Sequence, residues 1–325
     1  MRVAIDVGYG YTKVVAEAGR KVLLPSTVGP ARLSRGLASA FGEKIHDGHD
    51  LTVTINGEEQ GFVVGSVKGQ RSWASDASKR TGYVPLMLAA AYLAGAEGET
   101  EIEVGLPLAL WLQKDQRKAL RSEVRGLTTI VSLDGKRPHE IVVTDAHVLP
   151  QGAGAFALAV STDPSLATKP TGLIDIGYKT TDYLLMRRVD GSVAPDESGC
   201  GSLDLGAGRI VENVRQILSD QSGVLVPEGA VEDALQNYKG KMFLRGKEYD
   251  VAVLVDQEAK TLAVAIEEQM RRVWTDRLDL LGAVLVTGGG GKDTYPHLRK
   301  IHPLTRLLHE TLYSNAAGYL VMASS

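Results

Sequence analysis

One motif occurs twice in this chain. "IDVGYGYTKVV", from Ile5, aligns with "IDIGYKTTDYLL", from Ile174. Ile5 matches Ile174, Asp6 matches Asp175, Gly8 matches Gly177, Tyr9 matches Tyr178 and Thr12 matches Thr181. Each copy reads as strand, tight turn, strand, and each stands near the start of one half of the chain. A length of 325 residues suits about two domains. The repeat therefore predicts a duplicated domain, with equivalent hairpins facing each other across a cleft. It also raises a cost, because each copy sets an aspartate in an otherwise apolar strand. Burying an unpaired carboxylate costs several kcal/mol, so Asp6 and Asp175 need a partner.

The chemistry of such a hairpin is legible. A glycine in the turn lets the backbone approach a ligand closely. Successive turn amides and threonine hydroxyls can cradle phosphate oxygens. Lys13 and Lys179 add positive charge. Asp6 and Asp175 cannot bind phosphate directly, but can hold Mg2+ through its retained waters. Two such hairpins would grip a triphosphate from both sides, with the cation between the aspartates. One Asp-x-Gly turn alone is most simply a structural turn; two aligned copies favour the ligand reading.

Composition removes other classes. Hydrophobic residues are 44% and charged residues 23%, an ordinary globular balance. The formal net charge of −3 carries no basic signature, so direct nucleic-acid binding is not expected. Cys200 is the single cysteine, which excludes a disulfide framework and a cysteine-ligated metal centre within one chain. The seven histidines show no metal-site spacing. The N-terminus, "MRVAIDVGYG", lacks the apolar region of a signal peptide. The longest apolar helix candidate, Leu86 to Ala96, is far shorter than the ~20 residues that span a bilayer. A soluble, cytoplasmic protein without a membrane segment is expected.

Strands and helices alternate in an α/β pattern. "RVAIDV", "YTKVVAEAG" and "KVLLPS" read as three strands. Asn56-Gly57 separates two alternating runs and signals a hairpin. The region from Thr27 to Lys79 is rich in Gly, Ser and charge, and reads as an insertion or small subdomain with mobile loops. A helix ending near Gly95, a strand ending at Pro107, an amphipathic helix over "QKDQRKALRSEV" and two paired strands about Asp134-Gly135 follow. In the second half, "LDLGAGRIVENVRQILSDQ" reads as a helix beginning near Asp204, "PEGAVEDALQNY" as another, and "VAVLVDQEAKTLAVAIEEQMRRVWTDRL" as a long one. "GAVLVTGGGG" reads as a strand running into a glycine loop, and "TLYSNAAGYLVMA" as a final helix.

Two familiar nucleotide motifs fail. In "TGGGGKDT" Asp293, not Ser or Thr, follows Lys292, and Val286 stands where a Walker motif has its first glycine. "GYGYTK" has no third glycine where a dinucleotide fingerprint needs one.

"AIDVGYGYTK" and "LIDIGYKTTDY" resemble the two phosphate motifs of the actin, sugar-kinase and heat-shock ATPase superfamily. Further pieces agree in order. "LPQGAGAFAL" resembles the family's first connecting segment, "LVTGGGG" its adenosine motif, and "SNAAGYLVMA" its second connecting segment. Within the superfamily, the chain looks most like the prokaryotic ParM and archaeal-actin type. The resemblance implies an actin-like α/β fold, two related ribonuclease-H-like domains around a nucleotide cleft. Domain I would span 1–150, with a small subdomain at about 27–79. Domain II would span 151–305, and 306–325 would form a C-terminal helix returning to domain I.

It also implies residue roles. Asp6 and Asp175 would coordinate the Mg2+ shell. Gly8, Tyr9, Gly10, Tyr11, Thr12 and Lys13 would contact phosphate from one side. Gly177, Tyr178, Lys179, Thr180, Thr181 and Asp182 would do so from the other. Gln151 falls where actins carry a residue that orients the attacking water, with a local helix-terminal hydrogen bond as its plainer alternative. A glutamine amide does not titrate, so it would position water rather than act as base, as in GTPases. Gly288, Gly289 and Gly290 would pass against the adenosine, where side chains would clash.

The function implied is an ATPase that polymerises head to tail with ATP and Mg2+, since heterologous contacts give open filaments. ParM-type filaments push plasmid copies apart through an adaptor bound to centromere-like DNA, so the chain itself would touch protein, not DNA. The alternative is a non-filamentous small-molecule kinase of the same superfamily. That reaction needs a carboxylate base near the acceptor hydroxyl, and none stands out beyond the paired aspartates.

Overall fold

A computed structural model describes residues 1–30, 48–55, 57–66 and 76–324. They divide into two compact units, Met1–Leu158 with Tyr313–Ser325, and Ala159–Leu312.

The first unit is built on strands β1 (Arg2–Val7), β2 (Tyr11–Ala16), β3 (Lys21–Pro25), β4 (Val28–Pro30), β5 (His49–Ile55) and β6 (Glu58–Val64). After helix α1 (Asp76–Leu93) come β7 (Gly98–Leu106), α2 (Leu108–Trp111), α3 (Lys114–Val124), β8 (Thr128–Leu133), β9 (His139–Pro150) and α4 (Ala153–Thr162). Among the described residues the strands form one nine-stranded sheet, ordered β3-β2-β1-β7-β9-β8-β5-β6-β4. β1 pairs antiparallel with β2 and parallel with β7, and β7 pairs parallel with β9. Side chains alternate across the sheet. Val3, Ile5 and Val7 therefore join Leu86, Met87 and Ala90 of α1 on one face, while Ala4 meets Tyr319 of the C-terminal helix Ser314–Ala323 on the other. Cover on both faces is why Val3, Ala4 and Ile5 are apolar in succession.

The second unit contains β10 (Thr171–Ile176), β11 (Thr181–Val189), β12 (Ser192–Pro195), β13 (Gly201–Leu203), α5 (Gly208–Ser222) and α6 (Ala230–Asn237). Then follow β14 (Lys241–Leu244), β15 (Lys247–Asp250), α7 (Val251–Trp274), β16 (Ala283–Thr287), α8 (Gly291–Leu298) and β17 (Thr305–Leu307). Its main sheet runs β12-β11-β10-β16-β17, with β13 added to β11. β10 pairs antiparallel with β11 and parallel with β16, and β16 pairs parallel with β17. Ile266, Met270 and Trp274 of α7 pack on Ile174 and Val286 of this sheet.

The two main sheets share one topology. The series β3-β2-β1-β7-β9 and β12-β11-β10-β16-β17 have the same sequence of antiparallel and parallel neighbours. The repeat seen in two short peptides is thus a repeat of the surrounding sheet.

Several local expectations change. The helix expected near Asp204 begins at Gly208. The preceding residues are held by the second hairpin: Ala207 N–H donates to Gly177 O at 2.9 Å and Gly208 N–H to Tyr178 O at 2.7 Å. The long helix ends at Trp274, where Thr275 takes a φ of 41° and a 3₁₀ segment, Thr275–Leu280, follows. The glycine run is a loop only as far as Gly290, and α8 starts at Gly291. The β14–β15 hairpin turns through Arg245 and Gly246, with φ of 49° and 79°. A turn opened by arginine carries no Asn-Gly signal. The hairpin expected about Asn56-Gly57 pairs Ile55 with Glu58, and Gly57 has φ 80°. Asn56 itself lies outside the described residues, as do 31–47 and 67–75, where the mobile loops were expected. The described strands of that region, β4, β5 and β6, extend the main sheet through β8.

Candidate functional site

In the first unit the candidate residues gather at the carboxyl ends of three adjacent parallel strands. This is where open α/β sheets bind ligands, because loops and amides point outward there. Asp6 is the penultimate residue of β1, Leu106 ends β7, and Gln151 follows β9. Asp6 is only 5% exposed. Its carboxylate has donors on both oxygens: Gln151 Nε2 at 2.6 Å on Oδ1 and Lys13 Nζ at 3.2 Å on Oδ2. Gln151 is anchored through its own backbone N–H, which donates to Leu106 O at 2.8 Å.

The β1–β2 turn is tight. Gly8 N–H donates to Tyr11 O at 3.2 Å. A Cβ on Gly8 would lie 2.9 Å from that carbonyl and 2.8 Å from Lys13 Nζ. The glycine leaves the space in which the lysine lies across the turn. Gly10 O accepts from Ser26 N at 3.0 Å, and Tyr9 packs against the first-unit core. Thr12 is fully buried, and its hydroxyl meets Ser26 Oγ at 2.9 Å.

The β10–β11 turn repeats this construction within the second unit. Gly177 N–H donates to Thr180 O at 2.8 Å, and a Cβ on Gly177 would lie 2.9 Å from that carbonyl. Asp175 and Asp182 are 7% and 4% exposed and stand directly opposite each other in the antiparallel ladder. The matching ladder pair in β1–β2 is Asp6 and Lys13. Thr181, fully buried, donates to Leu205 O at 2.5 Å. Both buried threonines therefore spend their hydroxyls on tying the hairpins to neighbouring segments. Lys179 and Thr180 are half-buried in the turn. The Tyr178 ring lies against Gly208, where a Cβ would meet it at 2.7 Å.

The glycine run follows β16, the parallel neighbour of β10. Gly288 has φ 88°, and a Cβ there would stand 2.4 Å from both Asp175 Oδ1 and Ile176 O. Gly290 N–H donates to Ile176 O at 2.9 Å, and its Cβ would meet Ala207 Cβ at 2.6 Å. These two glycines are required by contacts inside the unit. Gly289 is the open one, its nearest neighbour being Leu312 Cδ1 at 3.9 Å.

Two supporting residues escaped the sequence reading. The Tyr83 hydroxyl donates to Gly105 O at 2.6 Å, on β7 beside Asp6. Burial, with the Asp6 charge nearby, pushes its phenol well above the usual tyrosine value. Asn315 Oδ1 accepts from Gly152 N at 2.8 Å and Ala155 N at 3.2 Å, capping the start of α4. Asn315 lies in the noticed segment "SNAAGYLVMA", but a cap this distant in sequence has no local signature.

Carboxylate and carbonyl oxygens are hard donors that suit Mg2+. Among the described residues no three or more His, Cys, Asp or Glu side chains converge as a metal cage. Mg2+ needs no such cage, since one or two carboxylates with phosphates and waters suffice. The donor set therefore fits the ion. Among the described residues, no helix is long and apolar enough to cross a membrane.

Two family models match the chain: "Actin like proteins N terminal domain" over residues 4–154 and "Archaeal actin homologue MreB-like, C-terminal" over 173–300. An archaeal actin homolog of Thermoplasma volcanium is 26% identical over 330 residues, covering 98% of this chain and 97% of the relative. A ParM from a 15-stranded filament of Clostridium botulinum superposes with a TM-score of 0.83 at 25% identity, covering 99% of this chain and 98% of the other. An archaeal actin homolog solved as a complex with ADP superposes at 0.79 with 21% identity, covering 99% of each chain. Two sheets of one topology, each opened by an Asp-x-Gly hairpin, define an actin-like fold. The chain belongs to the actin-like ATPase superfamily and is of the ParM and archaeal-actin type.

Proposed function

We propose that this chain binds ATP and ADP with Mg2+ through its two hairpins, hydrolyses ATP slowly, and assembles head to tail into filaments while ATP is bound. The observation that carries the reading is the duplicated turn, Gly8 against Tyr11 O and Gly177 against Thr180 O, with a buried aspartate beside each. Such turns leave backbone room for a phosphate chain. In this reading the turn residues 8–11 with Lys13, and 177–180, contact the phosphates, and Gly289 lies nearest the adenosine. Asp6 and Asp175 serve the cation, and Gln151 orients water. Mg2+ when bound would neutralise phosphate charge and polarise the transferred group. The ADP complex of one relative and the filament of another support the nucleotide and the assembly.

The proposed work of the filament is plasmid segregation in the cytoplasm, through an adaptor that itself binds centromere-like DNA. The net charge of −3 accords with a chain that touches protein rather than DNA. Domain I would then comprise 1–150 with 306–325, and domain II 151–305.

Light scattering and sedimentation of the pure protein with ATP–Mg2+, with ADP–Mg2+ and without nucleotide test this. Pelleting with ATP, weak or absent pelleting with ADP, and phosphate release are expected. No pellet with ATP or a slowly hydrolysed analogue would remove the filament reading.

A further inference from the structure

We propose that Asn315 and Tyr319, one turn apart on the C-terminal helix, are positioning residues that set where Gln151 stands and, through it, the rate of hydrolysis. The inference rests on the reading that Gln151 orients water and deepens it.

Gln151 opens the short turn between β9 and α4. Gly152, with φ 89°, follows it. A glycine turn is conformationally permissive, so its direction must be fixed from outside. Asn315 does this. Its Oδ1 accepts from Gly152 N at 2.8 Å and from Ala155 N at 3.2 Å. One buried side-chain oxygen thus holds the peptide after Gln151 and the first turn of α4.

Tyr319 lies four residues further along the same helix face. Its ring is fully buried and stands between two glycines. A Cβ on Gly154 would come within 2.7 Å of Cδ1 and Cε1, and one on Gly105 within 2.9 Å of Cε2 and Cζ. Opposite edges of one ring therefore touch the backbone of α4 and of β7. A glycine inside a strand weakens it and marks the close approach of another group. At Gly105 that group is Tyr319.

Gly105 adjoins both anchors of Gln151. Leu106, next in the chain, accepts from the Gln151 backbone N–H at 2.8 Å. Asp6, the ladder partner of Gly105, accepts from the Gln151 side chain at 2.6 Å. The C-terminal helix therefore holds α4 and β7 on either side of Gln151. Such a hold matters to rate, since misplacing a reacting group by about 1 Å can cost about a hundredfold.

The test is a double-mutant cycle on the full chain, read as single-turnover phosphate release and as fluorescent-ADP affinity. Asn315→Ala is expected to slow hydrolysis by about fivefold or more and to change ADP affinity by less than about threefold. In a Gln151→Ala background the same substitution should slow hydrolysis by less than about twofold further, because Asn315 acts through a side chain no longer present. Tyr319→Leu removes the ring and should behave in the same way in both backgrounds. Tyr319→Phe keeps the ring between the two glycines and should stay within about threefold of wild type.

A merely structural defect slows both backgrounds alike, and that result would overturn the proposal. A larger loss in Tyr319→Phe would also overturn it, by showing that the hydroxyl acts in its own right. If either truncation fails to fold, the milder Asn315→Ser and Tyr319→Met take their places in the cycle. A wild-type chain that releases no phosphate from ATP, or a Gln151→Ala variant as fast as wild type, is a different result. It would remove the hydrolysis reading, and this inference with it.

Discussion

Gln151 donates its side-chain amide to Asp6 Oδ1 at 2.6 Å, across 145 residues of sequence. The bond joins the end of β9 to the end of β1 at the carboxyl edge of one parallel sheet. It gives Gln151 a fixed position through its amide nitrogen, and in the proposed function its carbonyl orients water.

Replacing Gln151 with alanine should therefore affect turnover more than binding. ATP hydrolysis is expected to fall by about tenfold or more while ADP affinity changes by less than about threefold. Single-turnover phosphate release, set beside fluorescent-ADP titration, measures both. Equal losses in the two would show that Gln151 serves binding instead.

Asp175→Ala is expected to abolish most Mg2+-dependent hydrolysis, by at least about tenfold, while leaving the fold intact. The thermal midpoint without nucleotide should stay close to that of wild type. Far-UV circular dichroism and a melt check the second half. A variant that hydrolyses ATP at the wild-type rate would strike Asp175 from the site.

Helix α4 and the C-terminal helix meet at two glycines. A Cβ on Gly318 would lie 1.7 Å from Gly154 O, and one on Gly154 would lie 2.4 Å from Asn315 O. Backbone cannot yield as a side-chain tip can. Gly318→Ala should lower stability by about 1–3 kcal/mol through overpacking. Gly29, with nothing within 4 Å of its would-be Cβ, is the control. Gly29→Ala should stay within about 0.5 kcal/mol of wild type. Denaturant titration followed by circular dichroism compares them.

Tyr83 predicts a pH dependence. Its hydroxyl is buried and bonded to Gly105 O, and its phenol is held well above the usual tyrosine value of 10.0, first by burial and then by Asp6. A raised folded-state value means that the associated stability is complete below pH 10 and is lost as pH rises beyond it. Tyr83→Phe leaves Gly105 O without that donor, so at neutral pH it should be about 1–2 kcal/mol less stable than wild type. The deficit should shrink as the pH passes 10, because only wild type then has a phenol to keep neutral. Melts at pH 7.5, 9 and 10.5 measure the gap, and a deficit constant across that range would refute the assignment.

Much of this was legible because the hairpins are local. Asp6, Gly8 and Thr12 sit within a few residues of one another, and strand–turn–strand spacing alone sets their register, as it does for Asp175, Gly177 and Thr181. The roles within the hairpins were less legible. Thr12 and Thr181 look like phosphate ligands by residue type, yet their hydroxyls are buried on Ser26 and Leu205. Gly288 and Gly290 look like space for a ligand, yet Asp175, Ile176 and Ala207 already fill that space. The start of α5 was misplaced because helix pattern cannot report that Ala207 and Gly208 are bonded to a distant turn.

The duplication, the apolar strands, the acidic position in each copy and the glycines of the turns were determined by sequence alone, because each depends on neighbours close along the chain. Only the tertiary structure decided that Lys13 and Gln151 share Asp6, that Tyr83 supports Gly105, and that Asn315 caps α4. Those pairings come from strands and helices brought together by burial of their apolar faces. The hydrophobic effect that drives such burial is non-directional, so it does not write its contacts into any short stretch of sequence.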